Sequence, residues 1–202
     1  MTLSPSLYQV ALAPYIRGLQ TLARLLDKAA EHAGRQGLDE ATLVARRLHP
    51  EMFPLSRQVE ILTSAARGTA ARLARRLASH DTSPDHAVFN RGHDDEFGKP
   101  PPSSFLELQA LIQEALAYLA TVSASEVDDA APVSVTVAKA GHVRQFDTQD
   151  FVLAYVLPNL YFHLTVVYAL LRSAGVPLGK ADYQGTPPYT LLTGMPADTP
   201  PA

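Results

Sequence analysis

The chain has 202 residues, of which 47% are hydrophobic and 18% are charged, a composition that predicts one folded domain with an ample core and excludes wholesale disorder. Its 17 basic and 20 acidic residues leave a net charge of −3, which excludes a strongly basic nucleic-acid binder. Because the chain contains no cysteine, disulfides, thiolate metal sites and a cysteine nucleophile are excluded as well.

Two long amphipathic helices are predicted in the first third of the chain. The first begins with Ser4 as its N-cap, followed by a proline in its first turn, and it ends at Gly34 or Gly37. The second begins at Pro54, and apolar residues recur at steps of three and four as far as residue 77.

The side of the second helix that lies opposite its apolar stripe carries several arginines. Such a group could bind phosphate, but no aromatic residue lies between its members, which favours a solvated helix face. These residues are Arg67, Arg72, Arg75 and Arg76.

Residues 79–102 are predicted to form a long surface loop, and a third helix follows with Ser104 and Glu107 as its capping box. The acidic and histidine residues of the loop have the composition of a weak divalent-cation site. Their spacing matches no defined motif, so a solvated polar loop is the favoured interpretation. They are His80, Asp81, Asp85, His86, His93, Asp94, Asp95 and Glu96.

The hydrophobic period changes after the third helix. Residues 133–137 alternate apolar and polar side chains, residues 138–142 can turn, and residues 143–146 can return, which predicts a small β-hairpin. Asp147 then opens the fourth helix, which ends near Gly175.

These elements predict an all-α fold: an antiparallel four-helix bundle with a small β-hairpin inserted before the last helix. We assign residues 1–183 to the bundle domain and residues 184–202 to a proline-rich C-terminal tail.

The fourth helix is apolar nearly all round, and residues 151–171 carry no formal charge over a length that would span a bilayer. Pro158, Asn159, His163 and three tyrosines in this segment need polar partners that lipid does not supply. A central helix of a soluble bundle is therefore favoured over a membrane span. No signal peptide is evident at the N-terminus, and we expect a cytoplasmic protein.

A second apolar side of the fourth helix is expected to stay uncovered by the rest of the bundle. An exposed apolar patch of that size predicts a homodimer. The patch consists of Leu153, Val156, Leu160, Leu164, Val167 and Leu171.

Polar residues recur at steps of four on this helix, where Tyr155, Asn159 and His163 form a slanting stripe. Pro158 has no N–H and so frees the carbonyl of Ala154. In one interpretation His163 is a satisfied core histidine and Asn159 repairs the backbone at the proline. In the other, the stripe is catalytic: it borders a pocket in the bundle core, where burial tunes His163 as a general acid or base.

Other side chains are candidates for binding a ligand in this pocket. Gln58, near the start of the second helix, could contribute a hydrogen bond. Met52 and Phe53 could form an apolar lid, and Phe162, the neighbour of His163, is a further candidate contact. An apolar small molecule is the expected ligand.

Several short motifs are similar to those of one known family. On these motifs the chain resembles, from about residue 7 to residue 183, an uncharacterised bacterial and fungal family that is grouped with the DinB/YfiT-like four-helix bundles. The resemblance implies the same fold and a site on the last helix. The motifs are Pro54-Leu55 with Gln58-Val59, residues 105–108 (FLEL), 157–163 (LPNLYFH), 168–172 (YALLR) and 175–180 (GVPLGK).

The resemblance also bears on metal binding. DinB-like relatives often hold a divalent metal with three histidines, two of them in His-x-x-x-His spacing on the last helix. The corresponding residues here are Asn159 and His163, and the second helix carries no histidine. Since an amide is a weak ligand for zinc or nickel, we expect no metal and no cofactor.

Two functions of different class follow. The first is a small-molecule site in the bundle core, either in a binding protein for an apolar ligand or in a metal-independent proton-transfer enzyme. The second is a non-catalytic dimeric helical module whose polar stripe is structural, and a degenerate metal-dependent DinB-type transferase is a further alternative. An open pocket reaching His163 would favour the first, and close packing around its ring the second.

Overall fold

The computed structural model of the protein describes residues 5–78, 81, 83–89, 97–129, 132–137 and 142–190. In these described residues helices predominate, most of them α-helices, together with a short 3-10 turn between two helices and a π-helical segment. The elements in chain order are α1 (Leu7–Gln36), α2 (Glu40–Val44), α3 (Leu55–Leu73), the 3-10 turn Pro84–His86, α4 (Phe105–Ala120), α5 (Ala124–Asp128), β1 (Val133–Val137), β2 (His142–Phe146), α6 (Thr148–Asp150), the π-helical segment Phe151–Val156, α7 (Leu157–Ser173) and α8 (Lys180–Gln184).

The helix boundaries follow from capping groups in the sequence. The N-cap of α1 is Ser6, which forms a capping box with Gln9, and Gly37 ends the helix in the left-handed conformation. The predicted cap Ser4 lies outside the described residues. Pro54 precedes α3 as predicted, and the Ser104 side chain accepts the N–H of residue 107 at the start of α4.

The β-hairpin lies where the alternating pattern predicts it. Strands β1 and β2 pair antiparallel, with Val133 opposite Phe146 and Val137 opposite His142. Val133 and Val135 are buried, so the apolar face of β1 packs on the helices. Of the predicted turn at residues 138–142, residues 138–141 lie outside the described residues, and residue 142 is the first residue of β2.

The predicted fourth helix is continuous from Thr148 to Ser173, but residues 151–156 within it are π-helical. The π-helical segment precedes Pro158, and the N–H of Leu157 bonds the carbonyl of Val152, five residues back. Because a proline cannot donate the usual backbone hydrogen bond, a wider helical turn just before it is a common adjustment.

The most deeply buried helix is α3, whereas the sequence pattern favoured the last helix for the centre of the bundle. Every residue of α3 except Arg67 is buried. Helices α1, α4 and α7 pack against it, and residues 83–89, which contain the 3-10 turn and are called the covering segment below, lie over the remaining side. Helix α7 instead keeps an exposed face that includes Tyr161 and Phe162.

The prediction of a solvated arginine face on α3 is wrong for Arg67 and Arg72. The guanidinium of Arg72 is buried and donates to the carbonyl oxygens of Gly68, Asp81 and His86. Arg67 donates through Nε to the carbonyl of Asp85. Backbone carbonyls, most of them in the covering segment or shortly before it, thus replace water as acceptors for these two arginines. Arg75 and Arg76, beyond the end of α3, are exposed as predicted.

Gly68 explains how the covering segment comes so close to α3. A Cβ atom at this position would collide with the carbonyl oxygen of His86. The missing side chain therefore permits the backbone approach that gives Arg72 its acceptors.

Most of the apolar patch from which a homodimer is predicted is buried inside the single chain and is not exposed to solvent. All of its residues except Leu153 are buried in the core of the single chain, because they form the face of the last helix that meets α1 and α3. The homodimer stays a prediction, and its argument now depends on the exposed apolar side chains of this helix. These are Leu153, Tyr161 and Phe162.

One helix, from Thr148 to Ser173, is long and apolar enough to cross a membrane by length and composition. Its inner face belongs to the core of the bundle, and core helices of soluble proteins meet the same criteria. The cytoplasmic location stays a prediction.

The loop whose composition suits a weak cation site, and for which a solvated polar loop was the favoured interpretation, is only partly described. His80, His93 and residues 94–96 lie outside the described residues. Asp81 and Asp85 accept or pair with the arginines of α3, so they help to cover that helix. Within the described ranges, no three His, Asp or Glu side chains are grouped so that they could hold a metal ion.

Candidate functional site

The candidate site is built around a contact between α7 and α3. Nδ1 of His163 lies 2.6 Å from Oε1 of Gln58, which is 98% buried near the start of α3. Nε2 of Gln58 donates to the carbonyl of Phe53 at 3.2 Å, which fixes the orientation of the amide.

The orientation of the Gln58 amide determines the tautomer of His163. An amide oxygen only accepts hydrogen bonds, so Nδ1 of the imidazole must carry the proton. Nε2 is then the nitrogen with the free lone pair. None of the described residues forms a hydrogen bond with it.

Phe89 covers one face of the imidazole. The two rings are stacked with their centroids 5.4 Å apart and their planes 4° from parallel. Phe89 holds this position with φ at +50°, an uncommon conformation for a bulky residue. Burial among these groups lowers the pKa of His163 to about 4, because a charged imidazolium would lose its hydration. The ring is therefore neutral at pH 7.

A cavity of about 200 Å³ adjoins His163. It lies between α3, α7, the covering segment and the residues that precede α3. Its other lining residues are Phe53, Ile61, Ser64, Ala87, Phe89 and Asn159. Gln58, which bonds Nδ1 of His163, is not among them.

Asn159 and Tyr155, the other members of the predicted catalytic stripe, bond to the backbone. Nδ2 of Asn159 donates to the carbonyl of Tyr155 at 2.6 Å, and not to Ala154 as the proline suggested. The hydroxyl of Tyr155 donates to the carbonyl of Val88 at 3.1 Å and accepts from Arg144 at 3.3 Å. Asn159 thus lines the cavity, while Tyr155 anchors the covering segment on the last helix.

Of the predicted ligand-contact residues, only one lines the cavity beside His163. Phe53 lines the cavity, and Gln58 supports His163 from behind. Met52 packs on the core beside this region without lining the cavity. Phe162 touches the edge of the His163 ring, with centroids 5.2 Å apart, but its side chain is exposed on the outside of the helix.

Sequence reasoning missed the cavity residues of the covering segment. Phe89 stacks on His163, and Ala87 lines the cavity beside it. Both lie in a stretch without helical or strand periodicity, so no pattern placed them against α3 and α7. The buried apolar pair Ala87 and Val88 was the available signal, since such residues are uncommon in a fully solvated loop.

The residues at the site do not fit the three-histidine metal centre that the DinB resemblance implies. Among the described residues that line the cavity, His163 is the one imidazole, and its Nδ1 is committed to Gln58. The other polar side chains of this described lining carry amide and hydroxyl groups, which bind zinc or nickel weakly. A single ring nitrogen cannot supply the closed coordination of a tight transition-metal site.

A larger cavity of about 600 Å³ lies elsewhere, between α1, α7 and α8. No histidine is among the described residues that line it. The histidine chemistry predicted from the sequence therefore belongs to the smaller cavity, which His163 lines. The larger volume of the other cavity does not make it the predicted site.

Comparison with known proteins places the chain in a family. Residues 7–184 match the family described as Domain of unknown function (DUF1993). The chain belongs to the DUF1993 family. No curated protein matches the sequence.

The DUF1993 chain is also similar to a solved structure, that of a DinB family member protein from Shewanella denitrificans. The two are 29% identical and superpose with a TM-score of 0.74 over 92% of this chain and 96% of that chain. The predicted resemblance and the DinB-like helical fold with its inserted hairpin are thus confirmed.

Proposed function

We propose that the cavity beside His163 binds a small uncharged molecule with an apolar body and one hydrogen-bond donor. Nε2 of His163 accepts the hydrogen bond, and the rings of Phe53 and Phe89 contact the apolar part. The proposal rests above all on one observation: a neutral histidine whose tautomer is fixed by Gln58.

The support chain behind His163 resembles that of a preorganised site. The Phe53 carbonyl orients Gln58, Gln58 orients the imidazole, and Phe89 holds the ring plane. A group that is fixed before its ligand arrives loses little conformational entropy on binding. This arrangement also explains why a glutamine is buried at the start of α3.

The pKa of His163 favours binding over proton transfer. A general base works best when its pKa is close to the ambient pH, and a pKa of about 4 makes the imidazole a weak base at pH 7. As a hydrogen-bond acceptor the same neutral ring needs no change of protonation. The binding protein is therefore the stronger of the two small-molecule hypotheses.

The size of the cavity limits the ligand. Sites for drug-sized ligands enclose roughly 300–1,000 Å³, whereas this cavity has about 200 Å³. A single ring or a short chain with one donor fits this volume.

Phenol and anisole form a matched probe pair, because both have an aromatic body and only phenol donates a hydrogen bond. We expect phenol to bind more tightly in ligand-observed NMR and to shift the Nε2 resonance of His163. His163→Phe keeps an aromatic ring beside Phe89 and removes Nε2, so it should abolish the preference for phenol. Equal binding of both probes to the parent, or no binding of either at millimolar concentration, would show that the proposal is wrong.

The structural alternative retains specific support for two residues. Tyr155 and Asn159 both bond backbone carbonyls, as residues with a purely structural role do. Phe162→Ala serves as a control for nonspecific changes around the ring, since its side chain is 56% exposed and lies outside the cavity.

A further inference from the structure

A second cavity, of about 600 Å³, lies on another side of α7 from His163. Its floor is formed by Gly18 of α1 and Leu164 of α7, both buried. Tyr161 and Tyr189 contribute aromatic walls. The volume falls within the range of sites for organic ligands, and the lining is mainly apolar.

The wall formed by α8 and the residues after it is fixed to α1. Nζ of Lys28 pairs with Oδ1 of Asp182 at 2.5 Å. Gly185 adopts a φ of +70°, and a Cβ there would collide with the side chains of Thr21 and Arg24. The chain after α8 can lie this close to α1 because residue 185 is a glycine.

Two guanidinium groups stand beside the cavity on one face of α1. Arg17 lines it and donates to the carbonyl of Thr186 at 3.1 Å, and Arg24 lines an adjoining cavity of about 250 Å³ that shares Arg17 with the first. Arg24 donates to the hydroxyl of Thr21 at 3.2 Å. Among the residues that the structure describes, no carboxylate pairs with either arginine.

We propose that this cavity is a second binding site, for an organic anion with an apolar body, such as a medium-chain carboxylate. The carboxylate would bond the guanidinium of Arg17, whose planar donor pair matches two carboxylate oxygens. The apolar body would lie along Tyr161 and Leu164. The site is independent of His163 and of the function proposed for the smaller cavity.

Fluorescence of 8-anilinonaphthalene-1-sulfonate, an aromatic anion, tests the site at pH 7. We expect saturable binding, and we expect decanoate to displace the dye at about tenfold lower concentration than 1-decanol, which has the same chain but no charge. Arg17→Gln should remove this preference. Arg35→Gln makes the same change of charge on the same helix, away from the cavity, and should leave the preference intact.

Three results would overturn the proposal. The first is equal displacement by decanoate and 1-decanol in the parent, which would indicate a merely apolar surface. The second is an equal effect of Arg17→Gln and Arg35→Gln, which would indicate a general effect of net charge. The third is loss of dye binding in His163→Phe, which would place the dye in the smaller cavity.

Discussion

His163 and Gln58 share a 2.6 Å hydrogen bond between α7 and α3, and this bond determines which ring nitrogen is available to a ligand. Oε1 of Gln58 accepts a hydrogen bond from the Nδ1–H group, because the amide nitrogen of Gln58 donates its own hydrogen bond to the Phe53 carbonyl. Nε2 thus keeps its lone pair at neutral pH. In a buried setting such a fixed acceptor is a stronger recognition element than in water.

Replacing Gln58 with glutamate should raise the pKa of His163 well above its present value of about 4. A carboxylate in hydrogen-bond contact with Nδ1 stabilises the imidazolium, which the neutral amide does not do. NMR titration of the histidine ring in Gln58→Glu measures this directly. Gln149→Glu, an exposed site on α6, is the control and should leave the pKa unchanged. An unchanged pKa in Gln58→Glu would contradict the assigned hydrogen bond.

The stability of the fold should fall as the pH decreases from about 6.5 to about 4. Since the pKa of His163 is lowered in the folded state, the unfolded chain binds more protons in this interval, so the free energy of unfolding rises with pH. The contribution is on the order of 2–3 kcal/mol across the interval. Urea unfolding of the parent and of His163→Gln at each pH isolates the contribution of His163 to the free energy of unfolding. Parallel pH profiles of this free energy for the two proteins would contradict the prediction.

Alanine at position 68 should destabilise the protein by about 2 kcal/mol, because its Cβ would force the covering segment away from α3. Gly34 provides the matched control, since a Cβ there meets nothing within 4 Å and alanine favours the helix. Thermal unfolding should therefore show a lower midpoint for Gly68→Ala and an equal or higher midpoint for Gly34→Ala. Two similar midpoints would contradict the prediction, because they would show that the covering segment can move away from α3 at little cost in stability.

Removing the charge of Glu60 should cost about 3 kcal/mol of stability. Oε2 of Glu60 lies 2.6 Å from Nη1 of Arg57, and both side chains are almost fully buried, so Glu60→Gln removes the negative charge from a buried ion pair. The exposed pair Glu31 and Arg35 has the same charges, and Glu31→Gln should cost less than about 0.5 kcal/mol. Urea denaturation measures the loss of stability in Glu60→Gln and in Glu31→Gln. Equal losses in the two variants would contradict the claim that burial makes the Glu60 pair more important.

Elemental analysis of the purified protein should find no stoichiometric, tightly bound transition metal. One histidine and neighbouring amides do not form a complete ligand set for zinc or nickel. One metal ion per chain that disappears in His163→Ala would overturn this prediction.

Capping and periodicity were enough to predict much of the fold. The long helices, the cap at Ser104 and the hairpin at residues 133–146 all follow from local sequence rules. The burial of α3 could not be predicted in that way. Its polar side chains, such as Arg72, find their partners on backbone carbonyls, which have no signature in the side-chain pattern.

Part of the candidate site was predictable for a similar reason. His163, Asn159 and Gln58 lie on helices whose register is readable, and the structure places them close together or in contact. Phe89 was not predictable, because its left-handed backbone and its loop have no period that points it at His163.

The burial of α3 also sets an order for assembly of the chain. Most of the groups that satisfy its buried charges come later in the sequence: the Asp81 and His86 carbonyls for Arg72, and the Lys99 carbonyl for Arg57. During synthesis α3 leaves the ribosome before these groups do, with its arginines still hydrated. The centre of the bundle can lose its water only after Lys99 has emerged, so residues that follow α3 in the sequence are needed to complete the core around it.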